Sequence, residues 1–221
     1  MPAASNDQPM RERILAAAIQ VIRERGVTAA TTKEIARVAG VAEGSLYNHF
    51  ENKTALIAAA MGEVTSGIRA AMMRLLEQVG QNTVEENLAE FAEAQVHFLL
   101  ELLPITGPTL GSPELRGWLR RGGPAPDAAT PPGPVLGHAG LIAYLEAEQR
   151  GRRLAADAQL PYLAAALLGG CQQYAYLTLV TRAEVMSTVA RLPSDPAAFA
   201  REVARTVLTG QLRPRRAPAN R

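Results

Sequence analysis

One cysteine, Cys171, stands in 221 residues, so no internal disulfide can form and a reducing cytoplasm is the expected setting. Histidine is nearly as scarce. His49, His97 and His138 lie far apart and offer no metal-ligand spacing. No glycine-rich phosphate loop and no nucleophile elbow is present. Nothing at the level of motifs therefore points to an enzyme, a metal or a cofactor, although catalytic groups can converge from anywhere in a fold. No run approaches the roughly 18 consecutive apolar residues that span a bilayer, so no membrane partner is expected. Residues 1–9 are polar and lack a basic region followed by an apolar stretch, so no secretory signal is expected either. Sustained two-residue alternation is missing, which excludes a sheet, and there is no internal repeat.

What remains is the composition of a globular chain, 48% hydrophobic and 20% charged, far from the disordered class. The net charge of +2 does not announce a nucleic-acid partner. Its distribution says more. Residues 1–60 carry 7 basic and 6 acidic side chains, residues 61–210 carry 12 and 15, and residues 211–221 carry 4 and none. The middle is mildly acidic and the two ends are not. The only lysines, Lys33 and Lys53, both fall in the first sixty residues.

Helical periodicity begins at Met10. Ile14, Ala18 and Ile22 recur four apart, with Leu15 and Ile19 beside them, and Arg11, Arg13, Arg23 and Glu24 fall off that stripe. The helix is expected over 10–25, with Gly26 in a left-handed position just past its end. A second helix opens at Thr31 and Glu34, which have capping-box spacing. It carries Ile35, Ala36 and Ala39 and stops at Gly40. A third is expected over 43–49. Asn52 caps a fourth that starts at Lys53, and its apolar positions Leu56, Ile57, Ala60, Met61, Val64 and Ile68 read as one continuous helix.

Further helices are expected over 83–103, ended by Pro104, and over 113–120, 135–150, 160–180 and 196–208. Pro161 and Pro196 suit first-turn positions. Glycine and proline crowd 122–137, a long loop, and the tail beyond Leu212 should be disordered. The organisation is therefore all-α. A flexible start covers 1–9, a three-helix domain 10–55, a larger helical bundle 56–211, and a basic tail 212–221; DNA binding by the first domain, and ligand binding and dimerisation by the second, are what the resemblance described below implies.

Two short helices joined by Gly40-Val41-Ala42 behind an amphipathic helix make a tri-helical unit. Glycine lets the chain reverse sharply, and small alanines let the helices cross closely. Such a unit holds a recognition helix proud of its surface, with the first turn free to enter a major groove. Leu46 and Phe50 face inward, while Tyr47, Asn48 and His49 keep polar atoms available. Lys53 adds positive charge at a helix N-terminus, a favourable place for phosphate.

The stretch Thr31-Thr32-Lys33-Glu34-Ile35-Ala36-Arg37-Val38-Ala39-Gly40-Val41-Ala42-Glu43-Gly44-Ser45-Leu46-Tyr47-Asn48-His49-Phe50-Glu51-Asn52-Lys53 closely resembles the DNA-binding signature of the tetracycline-repressor (TetR) family. The resemblance is specific over about 10–61; beyond that only the layout of helices agrees. It implies that the second and third helices read DNA, that the last two long helices dimerise, and that a cavity among the central helices takes a small molecule that releases DNA. Carried over by position, Thr32, Tyr47, His49 and Lys53 would touch phosphates, and Ala42, Glu43, Gly44 and Ser45 would lie at the groove end of the recognition helix.

Two positions depart from the pattern. Ala42 stands where a capping Ser or Thr is common, at a cost of about 1 kcal/mol. Glu43 is acidic where DNA is near. It favours the helix dipole, yet repels phosphate unless it accepts from a cytosine amino group.

Blander readings stand beside these. A Tyr-x-His pair on its own is ordinarily structural. Lys33 is a DNA-facing candidate or a solvated helix residue. Candidate pocket residues are Met72, His97, Phe98, Trp118, Tyr144, Cys171, Gln172 and Tyr174. Of these, Cys171 reads equally as a buried small hydrophobe, Trp118 as core, and Gln172 as a group paired across a dimer. The expected partners are a palindromic double-stranded operator, a second copy of the chain and a small, apolar effector. The expected function is a repressor released by that effector. A DNA-binding structural or division protein without an inducer is the alternative, and a small-molecule enzyme a remote one.

Overall fold

The computed structural model describes residues 7–111 and 133–212, where ten helices form and no strand does. One isolated bridge joins Leu154 to Leu212. Trp118, the helix expected over 113–120, most of the glycine- and proline-rich segment and the tail beyond Leu212 lie outside the described residues. So does most of the stretch expected to be a flexible start, except that residues 7–9 already belong to the first helix.

The chain divides into two compact units. The first joins the residues up to Ser66 with the segment from Glu101; the second joins 67–100 with the residues from Gly133 onward. The sequence drew a single boundary at 55.

In the first unit, α1 (Asp7–Ala29) kinks at Gly26, whose φ of 80° and ψ of 162° lie outside the helical range and favour a residue without Cβ. Helix α2 (Thr32–Ala39) and α3 (Glu43–Leu46) follow, then α4 (Lys53–Val64). Helix α1 packs on α2 and α4, and α2 on α3. Ile14, Ala18, Val21 and Ile22 of α1 meet Ile35 and Ala36 of α2, Leu46 and Phe50 around α3, and Leu56, Ile57 and Ala60 of α4 in one buried cluster, which Ile105 joins. The stripe legible in the sequence is thus the core of this unit.

Two helices break differently from expectation. The apolar pattern after Lys53 predicts one helix past Ile68, but α4 stops at Val64 and α5 (Ser66–Glu77) starts afresh. The Thr65 hydroxyl donates toward the carbonyls of Met61 and Gly62 at 3.0 and 3.1 Å, competing with the backbone at that point. Conversely, α6 (Val84–Gly111) runs through Pro104, where a stop was expected. A proline inside a helix removes the bond to the carbonyl four residues earlier, here Leu100. The division between the two units falls between Leu100 and Glu101. The helix thus continues, but its ladder is interrupted where the chain passes from one unit to the other.

The second unit contains α5, the first part of α6, α7 (Gly133–Arg150), α8 (Leu160–Val180), α9 (Ala183–Thr188) and α10 (Pro196–Leu208). Helix α8 packs against α7, α9 and α10. The approach of α10 is close at Gly170, where a Cβ would stand 3.0 Å from Val203 Cγ2. Helix α9 has no counterpart in the sequence reading. Asp195 caps α10 by accepting from the amides of Ala197 and Ala198, and Pro196 takes the first helical position.

Among the described residues, α8 is the one helix long and apolar enough to cross a membrane by length and composition. A search for unbroken apolar runs passes it over because Gly169, Gly170, Gln172 and Gln173 interrupt it. One face, Ala164, Leu167, Cys171, Tyr174 and Ala175, is buried. The other exposes Tyr162, Gln172, Gln173, Tyr176, Leu179 and Val180.

Candidate nucleic-acid interface

The turn between α2 and α3 is built by its sequence. Thr31, extended at φ −108° and ψ 149°, accepts from the Glu34 amide at 3.2 Å and so caps α2. The reciprocal half of the expected capping box is replaced. The Glu34 carboxylate turns to Arg37 at 2.8 Å and Arg25 at 3.0 Å instead. The Arg37 hydrogen bond is the main reason the Glu34 pKa is lowered.

At the other end, Gly40 adopts φ 67° and ψ 38°, and its amide reaches the carbonyls of Ala36 and Arg37. The Val41 amide bonds Ala36 O at 3.0 Å, closing a Schellman turn. Arg13 of α1 donates from Nη2 to Ala39 O at 2.9 Å, placing a cation at the negative end of α2. The sequence reading treated Arg13 only as a residue off the apolar stripe. Its neighbour Arg11 lies 5.1 Å over the Phe50 ring.

Ala42 is extended and makes no side-chain cap, as the departure from the family pattern implied. Helix α3 is a single turn, shorter than the expected 43–49, and Tyr47, Asn48 and His49 continue it as a turn. Leu46 and Phe50 anchor it from below; each is at most 6% exposed. Tyr47 is 51% exposed on the outside. Glu43 and Gly44 are exposed, Ser45 and His49 half-buried, and a Cβ on Gly44 would touch nothing within 4 Å. The outer face of α3 is therefore open to close approach.

Lys33 is exposed on α2, and Lys53 is half-buried in the first turn of α4, which Asn52 caps by accepting from the Ala55 amide at 2.9 Å. Thr32 is half-buried, and its Oγ1 lies 2.5 Å from Glu43 Oε1. The eight residues carried over from the family signature, and Lys33 with them, thus all belong to the first unit, on α2, on α3 with its cap and following turn, and at the start of α4. The Thr32–Glu43 bond was not legible. Both residues were singled out, but for separate roles. The one clue is that each occupies the first turn of a helix on either side of a tight reversal.

The pocket candidates do not gather in the same way. His97 is exposed, with Glu93 at 3.9 Å, and Gln172 is exposed on α8. Met72 and Phe98 are half-buried. Cys171 is fully buried, its Sγ directed at Ala92 O at 3.7 Å, and burial pushes its thiol pKa up to about 12.

Tyr144 is also buried, and its hydroxyl receives Asn87 Nδ2 at 3.0 Å. Burial raises its pKa, and the nearby Glu148 charge adds to the rise. Asn87 and Glu148, both passed over in the sequence, are the buried polar residues of this unit. Asn87 Nδ2 also lies 3.2 Å from Gln78 O and 3.1 Å from Gln81 O. Glu148 Oε1 accepts from the Gly80 amide at 3.1 Å, and Oε2 has Arg153 Nε at 3.3 Å. Together they fix the loop between α5 and α6.

Tyr174 stacks on Phe199 at 4.1 Å between ring centres, and among the described residues its buried hydroxyl has no hydrogen-bond partner. Two surface grooves of about 280 and 330 Å³ occur in this unit. One is lined by Asp157, Gln159, Tyr162, Leu163, Gly210 and Gln211, the other chiefly by Glu85, Glu86, Glu90, Glu93 and Arg201. Neither contains a pocket candidate.

Comparison with known proteins adds to this geometry. Residues 14–60 match the family described as bacterial regulatory proteins, tetR family. The HTH-type transcriptional regulator BetI of Escherichia coli O139:H28 is 33% identical over 101 residues, which cover 43% of this chain and 52% of BetI. The chain thus spans about half the length of the curated relatives it matches.

Solved structures share the fold over nearly the whole chain. The fatty acid degradation regulator FadR of Bacillus halodurans has a TM-score of 0.59 at 20% identity, covering 91% of this chain and 96% of its own. SmeT, the repressor of the Stenotrophomonas maltophilia multidrug efflux pump SmeDEF, has 0.58 at 18%, covering 95% and 94%. The similarity to bacterial regulatory proteins of the tetR family is thus carried by residues 14–60, and the helical body shares the fold of these solved structures.

Proposed function

We propose that the protein is a transcriptional regulator that binds a palindromic operator in double-stranded DNA as a homodimer and represses the adjoining genes. A small apolar molecule weakens that binding. The observation that carries the reading is the outer face of α3. Glu43, Gly44 and Tyr47 stand exposed while Leu46 and Phe50 pin the turn to the core. That is what a helix presented to a major groove requires. Tyr47, His49, Lys33 and Lys53 serve as phosphate contacts, and Ala42 to Ser45 lie against the bases.

One recognition turn reads only a few base pairs, so a second copy supplies the missing specificity. The exposed apolar face of α8, with Tyr162, Tyr176, Leu179 and Val180, is the surface proposed for that contact, together with α10. The effector rests on the family relation and on fold neighbours that are a fatty acid degradation regulator and an efflux-pump repressor. A cytoplasmic location accompanies this reading, and regulators of this family are not ordinarily enzymes.

The experiment is a fluorescence-anisotropy titration of the full chain on duplexes selected from its source genome, repeated across salt concentrations. Lys53→Ala is expected to weaken binding to all sequences alike and, with one copy per protomer, to lower the salt slope by about two units. An unchanged slope removes Lys53 from the phosphate contacts. A monomer in sedimentation, with and without operator, removes the dimer.

A further inference from the structure

We propose that Glu43 reads a cytosine in each half-site and that Thr32 is the positioning residue that holds Glu43 for this contact, not a donor to phosphate. The inference rests on the DNA-binding reading above and assigns a base preference to its site. The Thr32 hydroxyl and the Glu43 carboxylate lie 2.5 Å apart, the length of a charge-assisted O–H···O⁻ bond. Glu43 has no proton to give, so Thr32 is the donor. A threonine hydroxyl has a single proton. Phosphate oxygens on a duplex are acceptors, so while this bond persists the Thr32 hydroxyl has no proton to donate to them.

The bond also spans the reversal. It ties the first turn of α2 to the first turn of α3, eleven residues on, and removes rotamer freedom from a carboxylate that is otherwise exposed. Glu43 is flanked by Ala42 and Gly44, whose side chains neither compete for a base nor shield it. The carboxylate keeps lone pairs beyond the one Thr32 occupies.

An acceptor-only group can meet two donors in the major groove, the amino groups of cytosine and adenine. The adenine amino group sits beside the N7 acceptor, which repels a carboxylate. The cytosine amino group has a C–H neighbour on its own ring and no such acceptor. Thymine places a carbonyl oxygen where cytosine has its amino group. Cytosine is therefore favoured and thymine opposed, and the favourable contact offsets the repulsion between Glu43 and the phosphates.

The test uses the full-length chain, as wild type, Thr32→Val and Glu43→Gln, on a duplex library with a randomised core. The wild type is expected to enrich a palindrome with a fixed cytosine in each half-site. Replacing that C·G pair by T·A should then weaken wild-type binding roughly tenfold per half-site. Glu43→Gln, whose amide can donate to the thymine oxygen, should shrink the discrimination to about twofold or less. Thr32→Val should shrink it in the same direction while leaving the salt slope unchanged.

Equal weakening on both duplexes for Thr32→Val, with the C·G over T·A discrimination unchanged, would make Thr32 a phosphate contact and overturn its positioning role. Unaltered discrimination in Glu43→Gln would overturn the base contact. A wild type that enriches no sequence at all defeats the DNA-binding reading itself, a result separable from the other two. Both altered side chains lie outside the core, and matching helix content by circular dichroism checks that each variant is folded.

Discussion

In the unit that carries α2, α3 and α4, the polar groups of interest stand at the surface; in the unit that carries α7, α8 and α10, they are sealed inside. Tyr47 and Tyr144 make the contrast concrete. Tyr47 is 51% exposed above a buried leucine, whereas Tyr144 is 0% exposed with its hydroxyl on Asn87. The carboxylates repeat it. Glu43 is exposed and held by one hydroxyl, while Glu148 is buried against the Gly80 amide and the Arg153 side chain. An exposed polar group costs little to leave partly unpartnered, because water satisfies it until a ligand arrives. A buried one must be satisfied at folding, because its desolvation is not refunded. The same residue types therefore serve recognition in the first unit and stability in the second.

That contrast is sharpened most strongly by removing the two carboxylates in turn. Glu148→Ala leaves the Gly80 amide without its acceptor and Arg153 with only the Gln81 and Asn82 carbonyls. It is expected to cost roughly 4 kcal/mol, the range for breaking a buried pair from one side. Glu43→Gln should change stability by less than about 0.5 kcal/mol, as surface substitutions do. Urea unfolding at a fixed protomer concentration compares them; equal losses would erase the distinction.

A pH series probes the sealed unit next. The Cys171 thiol has its folded pKa raised from 9.0 to about 12, so between those values the unfolded chain releases a proton that the folded chain keeps. Its contribution is intact below pH 9 and is lost as pH rises toward 12. The slope is about 1.4 kcal/mol per pH unit. Cys171→Ala should flatten that part of the curve, and native protein should resist alkylation at pH 9. A thiol that is modified readily without unfolding would place Cys171 nearer the surface than its burial indicates.

A local effect belongs to the exposed unit. Asn52→Ala removes the acceptor for the Ala55 amide at the start of α4 and should lower stability by about 1 kcal/mol. The loss should appear in the amide exchange of α4, and not in that of α7 or α8. Exchange that speeds up equally in both units would show that they open together.

How much of this was legible depended on the range of the interactions involved. Ile14, Ala18 and Ile22 announced a helix and its buried face because helical spacing and burial are both local. Thr31, Gly40 and Asn52 announced caps and a turn because each acts on backbone groups within a few residues. The residues proposed to face DNA came together on one unit for the same reason, since they lie within about twenty consecutive residues.

Thr65 and Pro104 misled in opposite directions. A continuous apolar pattern ran across a break at Thr65, and a residue that ends most helices was carried through one. The pocket candidates were chosen by residue type alone, and type does not fix exposure. His97 and Gln172 came out on the surface, Cys171 and Tyr144 in the interior.

The sequence by itself determined an all-helical chain, the starts of α2, α3 and α4, the reversal at Gly40 and the face that α3 turns outward. These follow from side-chain periodicity and from caps whose partners are near in the chain. Only the tertiary structure decided that Asn87 meets Tyr144 across 57 residues, that Glu148 binds the Gly80 amide across 68, and that Arg13 caps α2 from 26 residues away. It likewise decided that Thr32 holds Glu43. Such contacts bring together groups that no local pattern relates, and a polar atom's partner is set by which helices pack against it.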